Sequence, residues 1–385
     1  MNADAFTARL AATRERWIAL LEQLTNVECG TEMVEGVAEA GELVAAELRD
    51  LGFSVRRVGG GGEFGPHIVA ELGGADRPIV LGGHLDTTYT DYAPLPAFHV
   101  DGPRAVGPGV SDMKGGIVVL LASLDCLAQA GRLGRCPLAV LFNSDEERGA
   151  PSSRDLFREY ARRARAALFA ESGGASGEVV IARRAKLSYR LDVTGVAQHA
   201  GEIPGPTSSA VLDLSHRIIA VEGLNGRFDG ASFNAGRAWG GVASNTVAAE
   251  ATALIDIRFP RAEQEAPIKE AMAAAGSTEH VPGCTAALTL TSFRPAWPET
   301  EGSRALAGLV GDIGAGLGQK IEAIARGGTS DANWFGAAGV PTLDGLGPIG
   351  FEEHTPGEYT LIDTLFDRAL LVASLLDALP AEGAP

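Results

Sequence analysis

The chain has 385 residues, of which 45% are hydrophobic and 21% charged, and its formal net charge at pH 7 is −17. This length predicts two domains or one domain with an insertion, and the composition is typical of a globular protein with a sizeable core. The negative charge argues against duplex nucleic acid or an anionic membrane as a partner. An anionic substrate would need a local positive centre, such as a metal ion or an arginine.

The N-terminal region predicts an amphipathic helix with charges throughout, unlike a secretory signal. No apolar run reaches the roughly 18 residues of a membrane span. The four cysteines (29, 126, 136 and 284) are scattered and form no CxxC pair, which favours reduced thiols over a disulfide framework. Together these features predict a cytoplasmic protein.

Apolar strands alternate with helical patterns in the first half of the chain. We predict strands at 67–72, 78–86, 137–145 and 166–172 and a helix at 115–131. This alternation indicates a layered α/β domain with a mainly parallel sheet, in which functional residues gather where strands end.

The middle of the chain has a different pattern. Its elements are predicted as a strand at 187–195, a helix at 208–224, strands near 229–238 and 246–259, a helix near 262–275 and a strand near 284–292. The order β-α-β-β-α-β is that of a ferredoxin-like unit. After Pro295 the earlier alternation resumes, so we predict that residues 185–295 are inserted into a domain built from residues 1–184 and 296–385.

The segment LGGHLDTTY (81–89) places His84 and Asp86 two residues apart at the end of a strand. Residues i and i+2 of a strand share a face, so the aspartate can accept the free ring N–H of a metal-bound histidine. Taken alone, this pair is more typical of a capped turn.

Four further potential ligands follow strands or open helices. Asp112 lies in the glycine-rich GPGVSDMKGG (107–116), where a helix N-cap is the simpler interpretation of a single aspartate. Glu147 closes the acidic triplet of NSDEERGAPSS (143–153), which alone would suggest a solvated turn. Glu171 in AESGG and His354 in FEEHTPGE complete the set. Five side chains that each cap a turn or helix independently, all at one sheet edge, are less plausible than one shared site.

A charge count favours two metal ions. Asp112, Glu147 and Glu171 carry three negative charges and a bridging hydroxide would add a fourth, which two Zn²⁺ ions would neutralise. His84 and His354 would complete one site each. Nitrogen and oxygen ligands without thiolates suit zinc, with cobalt or manganese as substitutes.

The segments GGHLDTTY, GPGVSDMKGG, NSDEERGAPSS, AESGG and EHTPGE, in this order, resemble the metal-site motifs of one family of co-catalytic zinc metallohydrolases. That family includes acetylornithine deacetylase, succinyl-diaminopimelate desuccinylase, aminoacylase and the glutamate carboxypeptidases. The resemblance covers nearly the whole chain. It implies a catalytic domain of residues 1–184 and 296–385, and an inserted domain of residues 185–295 that serves as lid and dimerisation surface of a homodimer.

The resemblance also implies individual roles. His84 and Glu171 would bind one zinc ion, Glu147 and His354 the other, and Asp112 would bridge them, with a cis peptide bond to Met113. Glu146 would act as the general base: it takes a proton from the bridging water and delivers it to the leaving nitrogen. Asp145 would brace the loop.

Further resemblances concern the substrate. His199 in VAQHAGEIP (196–204) would stabilise the oxyanion, although glutamine replaces the usual serine before it, and alone it would be a structural histidine. Asn245 would contact the oxyanion or carboxylate. Arg258 would clamp a free α-carboxylate; without the resemblance, a salt bridge on the strand face is equally plausible. Gly328, Thr329 and Ser330 in RGGTSDANWF would offer backbone N–H groups.

These features predict a di-zinc hydrolase that releases a C-terminal amino acid from an N-acyl amino acid or peptide. HLDTTY, DEERGAPSSRDLF and FRPAW are closest to the glutamate carboxypeptidases, which makes glutamate the expected product. One departure is that such relatives carry a lysine soon after the zinc-binding glutamate, whereas the first cations here are Arg183 and Arg184. A small-acyl deacylase and a non-catalytic relative that binds an amino acid are the alternatives.

Overall fold

The computed structural model describes residues 2–60, 62–74, 76–202 and 205–379, and it divides the chain into two compact units. The first unit comprises residues 1–182, 299–326 and 330–385, and the second comprises residues 183–298 and 327–329. Of the segments quoted above, residues 203 and 204 of VAQHAGEIP lie outside the described residues.

Helices and strands alternate along the described residues. The helices are α1 (Ala3–Asn26), α2 (Val34–Asp50), α3 (Gly115–Gln129), α4 (Arg154–Ala161), α5 (Ala210–Glu222), α6 (Glu265–Ser277), α7 (Glu301–Gly316), α8 (Ala332–Gly336) and α9 (Ile362–Ala378). The strands are β1 (Ser54–Val58), β2 (His67–Leu72), β3 (Ile79–His84), β4 (His99–Asp101), β5 (Arg104–Val106), β6 (Leu138–Asn143), β7 (Ala166–Phe169), β8 (Val179–Arg183), β9 (Ala185–Thr194), β10 (Ser232–Gly240), β11 (Glu250–Phe259), β12 (Thr285–Arg294), β13 (Ala323–Arg326), β14 (Thr342–Leu343), β15 (Gly350–Phe351) and β16 (Tyr359–Leu361).

The first unit is built around a six-stranded sheet with the order β1-β2-β6-β3-β7-β14. Strands β6, β3, β7 and β14 run parallel, whereas β1 and β2 pair antiparallel at one side. The predicted α/β class with a mainly parallel sheet is therefore confirmed. Because the parallel strands share a direction, their carboxyl ends meet at one edge.

The two central strands of this sheet, β3 and β6, are buried along their whole length. This is typical of parallel strands covered on both faces. The glycines before His84 permit close packing there. A Cβ atom on Gly82 would lie 2.1 Å from the Phe169 ring, and one on Gly83 would lie 2.5 Å from Cε of Met113.

Helix α3 is buried along most of its length, and it packs against α1 and α9 in the main core of this unit. It starts immediately after the loop that contains Asp112, and Gly116 lets it approach the end of β7. A Cβ atom on Gly116 would lie 1.8 Å from the backbone oxygen of Ala170. The helix therefore sets the position of that loop beside the carboxyl edge of the sheet.

A second, smaller sheet has the order β15-β16-β5-β4, and all its pairs are antiparallel. Strand β16 pairs with β5, so that Tyr359 lies opposite Val106. This pairing brings the chain before Asp112 next to the hairpin that carries His354.

The second unit has the predicted order β-α-β-β-α-β in β9, α5, β10, β11, α6 and β12. Its sheet is antiparallel with the order β10-β11-β9-β12, which leaves β10 and β12 at the edges. Alternate residues of β9 are buried in its own core, so this unit has a separate hydrophobic centre.

Within the described ranges, every helix is too short or too polar to span a lipid bilayer.

Candidate metal centre

Two groups of potential ligands converge in the first unit. His84, Asp112 and Glu171 form one group, and Asp112, Glu147 and His354 form the other. Within each group the ligand atoms all lie within 4.8 Å of one another. Asp112 belongs to both groups, because Oδ1 lies 3.0 Å from Nε2 of His84 and Oδ2 lies 2.9 Å from Nε2 of His354. One carboxylate thus has an imidazole at each oxygen.

The fold explains why these residues meet. His84 ends β3, Glu147 lies in the turn after β6, and Glu171 lies two residues after β7. These three strands are adjacent and parallel, so their ends supply three ligands at one edge. Asp112 comes from the loop before α3, and His354 comes from the hairpin between β15 and β16. The Asp112–Met113 peptide bond is cis.

The site concentrates acid groups away from water. The side chains of Asp112, Glu147 and Glu171 are 17%, 11% and 14% exposed. Burial raises the pKa of Glu147 well above its usual value, and the nearby charge of Asp112 raises it further. Burial likewise raises the pKa of Glu171, although the charge of His84 opposes this. In both cases the negative charge of Glu146 contributes to the rise in pKa.

The imidazoles and Asp112 stabilise one another's charged forms. Burial alone would lower the pKa of His84, but hydrogen bonds to Asp112 and Asp86 raise it well above its usual value. The hydrogen bond to Asp112 also raises the pKa of His354. Burial would raise the pKa of Asp112, yet the hydrogen bonds from His354 and His84 outweigh burial and lower it.

A metal fits this donor set. Two imidazole nitrogens and three carboxylates without a thiolate suit zinc, cobalt or manganese. The buried Oε1 atom of Glu147 has no hydrogen-bond partner among the residues that the structure describes. A buried polar atom without a partner is costly, and a cation between the carboxylates would remove that cost.

Asp86 holds this centre in two ways. Nδ1 of His84 lies 2.8 Å from the backbone oxygen of Asp86 and 3.5 Å from its carboxylate Oδ1. The nearest acceptor for the ring N–H is therefore the backbone carbonyl of Asp86, and not its carboxylate as predicted from the sequence. The carboxylate instead accepts the backbone N–H groups of Glu146 and Glu147, at 3.1 and 3.2 Å, and the hydroxyl of Thr31 at 2.7 Å.

The three acids of the triplet have three different environments. Asp145 is fully buried and accepts four hydrogen bonds from the backbone and hydroxyl groups of Ser152 and Ser153, which precede α4. Glu147 joins the ligand group. Glu146 is half-buried between them, and its backbone is fixed by Asp86.

Two predicted substrate residues lie together in the second unit. His199 forms an isolated antiparallel bridge with Thr246, and the N–H of Ala200 donates to the backbone oxygen of Asn245 at 2.9 Å. His199 is exposed. Arg258 lies on β11 in the same unit, where it forms a bidentate pair with Asp256 at 2.7 and 3.2 Å.

The predicted glycine-rich loop is divided between the units. In the second unit, the backbone oxygen of Gly328 accepts a hydrogen bond from Arg183 at 3.0 Å, and Thr329 follows it. Ser330 counts with the first unit, where its N–H donates to Asn333. The N–H of Ser330, which was expected to serve a substrate, therefore bonds the side chain of Asn333 in the first turn of α8.

Sequence reasoning missed two acids that support the ligand-bearing loops. Asp344 accepts the N–H of Glu171 at 3.3 Å and the hydroxyl of Ser330 at 2.6 Å. Glu358 accepts N–H groups of the loop that carries Asp112. A signal for Glu358 was present, since it is an acid four residues after His354 in the quoted motif, whereas nothing local marks Asp344.

Known proteins are similar to this chain over most of its length. The family model described as peptidase family M20/M25/M40 matches residues 80–378. Carboxypeptidase G2 of Pseudomonas sp. strain RS-16 is 33% identical over 378 residues, which cover 95% of this chain and 90% of that protein. Succinyl-diaminopimelate desuccinylase of Gluconacetobacter diazotrophicus is 26% identical over 368 residues, covering 88% of this chain and 91% of that protein.

Solved structures share the fold. The aminopeptidase PepT of Bacillus cereus matches with a TM-score of 0.74 and 22% identity, over 94% of this chain and 98% of that one. A metallo-carboxypeptidase of the M20 family from Sulfolobus solfataricus matches with a TM-score of 0.75 and 15% identity, over the same shares of the two chains.

Metal affinity should fall as pH falls. In the metal-free protein, Glu147, Glu171 and both imidazoles have raised pKa values, so they hold protons at a higher pH than free side chains do. A metal must displace these protons, which costs about tenfold in affinity per pH unit for each proton displaced. Calorimetric zinc titrations between pH 6 and 8, in two buffers of different ionisation enthalpy, should show weaker binding at low pH and proton release. Affinity independent of pH without proton release would contradict this assignment.

Proposed function

The chain belongs to the peptidase family M20/M25/M40, and within that family of hydrolases we propose that it releases a C-terminal amino acid, glutamate, from an N-acyl amino acid or peptide. The observation that carries this proposal is the position of Asp112 between two imidazoles, with Glu147 and Glu171 beside it. Glu146, the proposed base, directly precedes the ligand Glu147.

We assign two zinc ions to the two ligand groups, with cobalt or manganese as substitutes. His84 and Glu171 would hold one ion, Glu147 and His354 the other, and Asp112 both. When bound, such ions supply Lewis-acid chemistry: they lower the pKa of a water molecule and polarise the carbonyl of the substrate. The remaining tasks fall to side chains of this chain.

Glu146 performs the proton transfers in this scheme. It takes one proton from the water as the water oxygen bonds to the carbonyl carbon, and it gives that proton to the leaving nitrogen as the amide C–N bond breaks. The other product is a carboxylic acid, which loses the water's second proton to solvent. The hydrogen bond from its backbone N–H to Asp86 fixes its position. Its side chain is half-buried, and its charge raises the pKa of both Glu147 and Glu171.

Residues of the second unit would recognise the substrate. His199 and Asn245 lie on two segments joined by backbone hydrogen bonds, and we assign them to the developing oxyanion. Arg258 would bind the α-carboxylate bidentately, in the way that it now binds Asp256. Arg183 and Arg184 are the candidates for the side-chain carboxylate of glutamate. Gly328 and Thr329 would supply backbone N–H groups.

A deacylase of small acyl groups is the second candidate, since the desuccinylase relative is similar over 88% of this chain. In that case recognition would centre on the amine part of the substrate. A non-catalytic relative that only binds an amino acid is the third, and it predicts no turnover of any substrate.

A panel of substrates decides between these functions. Zinc- or cobalt-loaded protein is incubated with benzoyl-glutamate, dipeptides ending in glutamate, acetylornithine, succinyl-diaminopimelate and neutral acetyl-amino acids, and the free amino acids are quantified. We expect glutamate to be released fastest, with an advantage in kcat/KM of about tenfold or more over the other substrates of the panel. Release from the small-acyl substrates alone would establish the deacylase instead. No release from metal-loaded protein would favour the binding role.

Replacement of the proposed base should separate chemistry from metal binding. We expect Glu146→Gln to lower kcat by about 10²–10⁴-fold, because the amide cannot accept the proton, while both metals stay bound. Metal content by atomic emission and steady-state kinetics are the measurements. Glu159→Gln, an exposed position on α4, is the control and should keep full activity. Turnover by Glu146→Gln at the unmodified rate would exclude Glu146 as the base.

We further propose that the protein is a cytoplasmic homodimer formed through the second unit. Strand β10 is a sheet edge, and the adjacent helix α5 exposes Val211, Leu212 and Ile219, which are 41%, 48% and 69% exposed. Exposed apolar groups of this kind beside a free strand edge favour pairing with a second copy. All four cysteines are buried and free, which supports a reducing compartment.

The dimer can be tested by charge substitution. We expect wild-type protein to sediment as a dimer, and the double variant Leu212→Asp, Ile219→Asp to sediment as a monomer, because the carboxylates would be desolvated in the interface. Val100→Asp, at a residue of the first unit that is 52% exposed, is the control and should leave the dimer intact. A monomeric wild-type protein, or a dimeric double variant, would exclude this interface.

Activity in the cytosolic fraction of the native cell would test the compartment.

A further inference from the structure

Glu358 is a buried acid that lies outside the two ligand groups. The residue is 1% exposed, although it lies in a turn between two short strands of the second sheet. Its Oε1 accepts the backbone N–H groups of Ser111 and Asp112 at 2.8 and 3.0 Å, and its Oε2 accepts that of Gly109 at 2.8 Å. Three N–H groups from one short loop therefore point at a single carboxylate.

The loop has a shape that this carboxylate requires. Gly109 adopts a φ of +73°, which side-chain-bearing residues rarely adopt, and a Cβ atom there would lie 2.6 Å from Cγ2 of Thr87. With glycine at this position, the chain can turn its successive N–H groups towards one point. Such a concave array of N–H groups is an anion-binding arrangement, and here the anion is a side chain of the protein.

The same residue belongs to the turn that carries His354. The N–H of Glu358 donates to the backbone oxygen of Thr355, and its own backbone oxygen accepts the N–H of Gly107. The hydroxyl of Tyr89 lies 2.8 Å from Oε2 of Glu358 and 2.9 Å from the backbone oxygen of Thr355, so its single hydrogen serves these two acceptors. Glu358 thus joins the Asp112 loop to the His354 turn on both sides.

This turn needs support, because two of its side-chain-bearing residues are in the left-handed region. Glu352 has a φ of +57° and His354 has a φ of +64°. Such conformations persist where the surrounding contacts determine them. Ser111 adds a further connection, since its hydroxyl donates to Glu353 at 3.1 Å.

We propose that Glu358 is a positioning residue of the metal centre. Its carboxylate fixes the backbone of residues 109–112 against the turn that bears His354, so that the Asp112 carboxylate faces His84 and His354 together. Glu358 contacts no substrate in this scheme and acts through Asp112. The inference rests on the two-metal site of the proposed function, and it does not depend on which amino acid is released.

The decisive variant is Glu358→Gln, which keeps the shape of the side chain. The glutamine amide keeps one acceptor oxygen. Its NH₂ group takes the place of the other carboxylate oxygen and faces a backbone N–H, so two donors meet and that hydrogen bond is lost. We expect the affinity for zinc, measured by competition with a chromophoric chelator, to fall about 10–100-fold. The absorption spectrum of the cobalt form should change, and kcat should fall while KM stays near the wild-type value. Tyr89→Phe removes one donor and should act in the same direction with a smaller effect.

Asp213→Asn is the matched control. Asp213 is a fully buried carboxylate of the second unit that accepts the N–H groups of Val281 and His280, at 3.0 and 3.3 Å, and it also pairs with Arg217. It therefore has the same kind of bonds without a link to a metal ligand. We expect Asp213→Asn to lower Tm and to leave the zinc affinity and the cobalt spectrum unchanged.

The outcomes separate this inference from the proposed function. A zinc affinity of Glu358→Gln equal to that of the wild type would overturn the positioning role. The role would also be overturned if Asp213→Asn, with the same drop in Tm, lost as much zinc affinity as Glu358→Gln. If Glu358→Gln does not fold, Tyr89→Phe decides, and an unchanged zinc affinity in that variant overturns the inference. A wild-type protein that binds no zinc would instead refute the metal centre itself.

Discussion

The mutual repulsion of Asp112, Glu147 and Glu171 is the constraint on which the organisation of the first unit depends. Their carboxylates are largely withdrawn from water, and this burial leaves the pKa values of Glu147 and Glu171 well above the usual range. Carboxylates held this close together move apart or take up protons unless a cation lies between them and the surrounding structure fixes their positions. The imidazoles that flank Asp112 supply part of the compensation, and bound divalent ions would supply the rest.

The supports are themselves acidic. Four further carboxylates accept hydrogen bonds from backbone N–H groups around the ligands. Three of them bind loops that carry Asp112, Glu147 or Glu171, and one binds the residues just before α4. They are Asp86, Asp344, Glu358 and Asp145. Each of these bonds is directional and charge-assisted, so it fixes a loop more firmly than apolar packing alone would. The extra negative charge also favours a cation in the centre, which makes metal binding and loop rigidity consequences of one arrangement.

The sequence was informative where a pattern is local. Buried apolar runs predicted β3, β6 and β7, and ligand types at strand ends predicted the edge at which they meet. Strands of two or three residues, such as β15 and β16, are too short for periodicity to reveal. The acid at position 358 is visible in the motif around His354, but its hydrogen bond with the N–H of Asp112 spans 246 residues, so the sequence does not reveal this partner. The pairing of Arg258 with Asp256 could be predicted from the sequence, because residues i and i+2 of a strand share a face.

The metal centre alone does not select a substrate, because a carboxypeptidase and a small-acyl deacylase both hydrolyse an amide and need the same ligands and base. Selection must therefore come from groups outside the centre. Arg258 already pairs with Asp256, so a substrate carboxylate would bind there only by displacing or sharing that partner. Such exchange costs part of the binding energy, and a second contact, such as one from Arg183 or Arg184 to a side-chain carboxylate, would offset it. Under the proposed function, a dicarboxylic leaving group would use both contacts, whereas a neutral amino acid would have only the first.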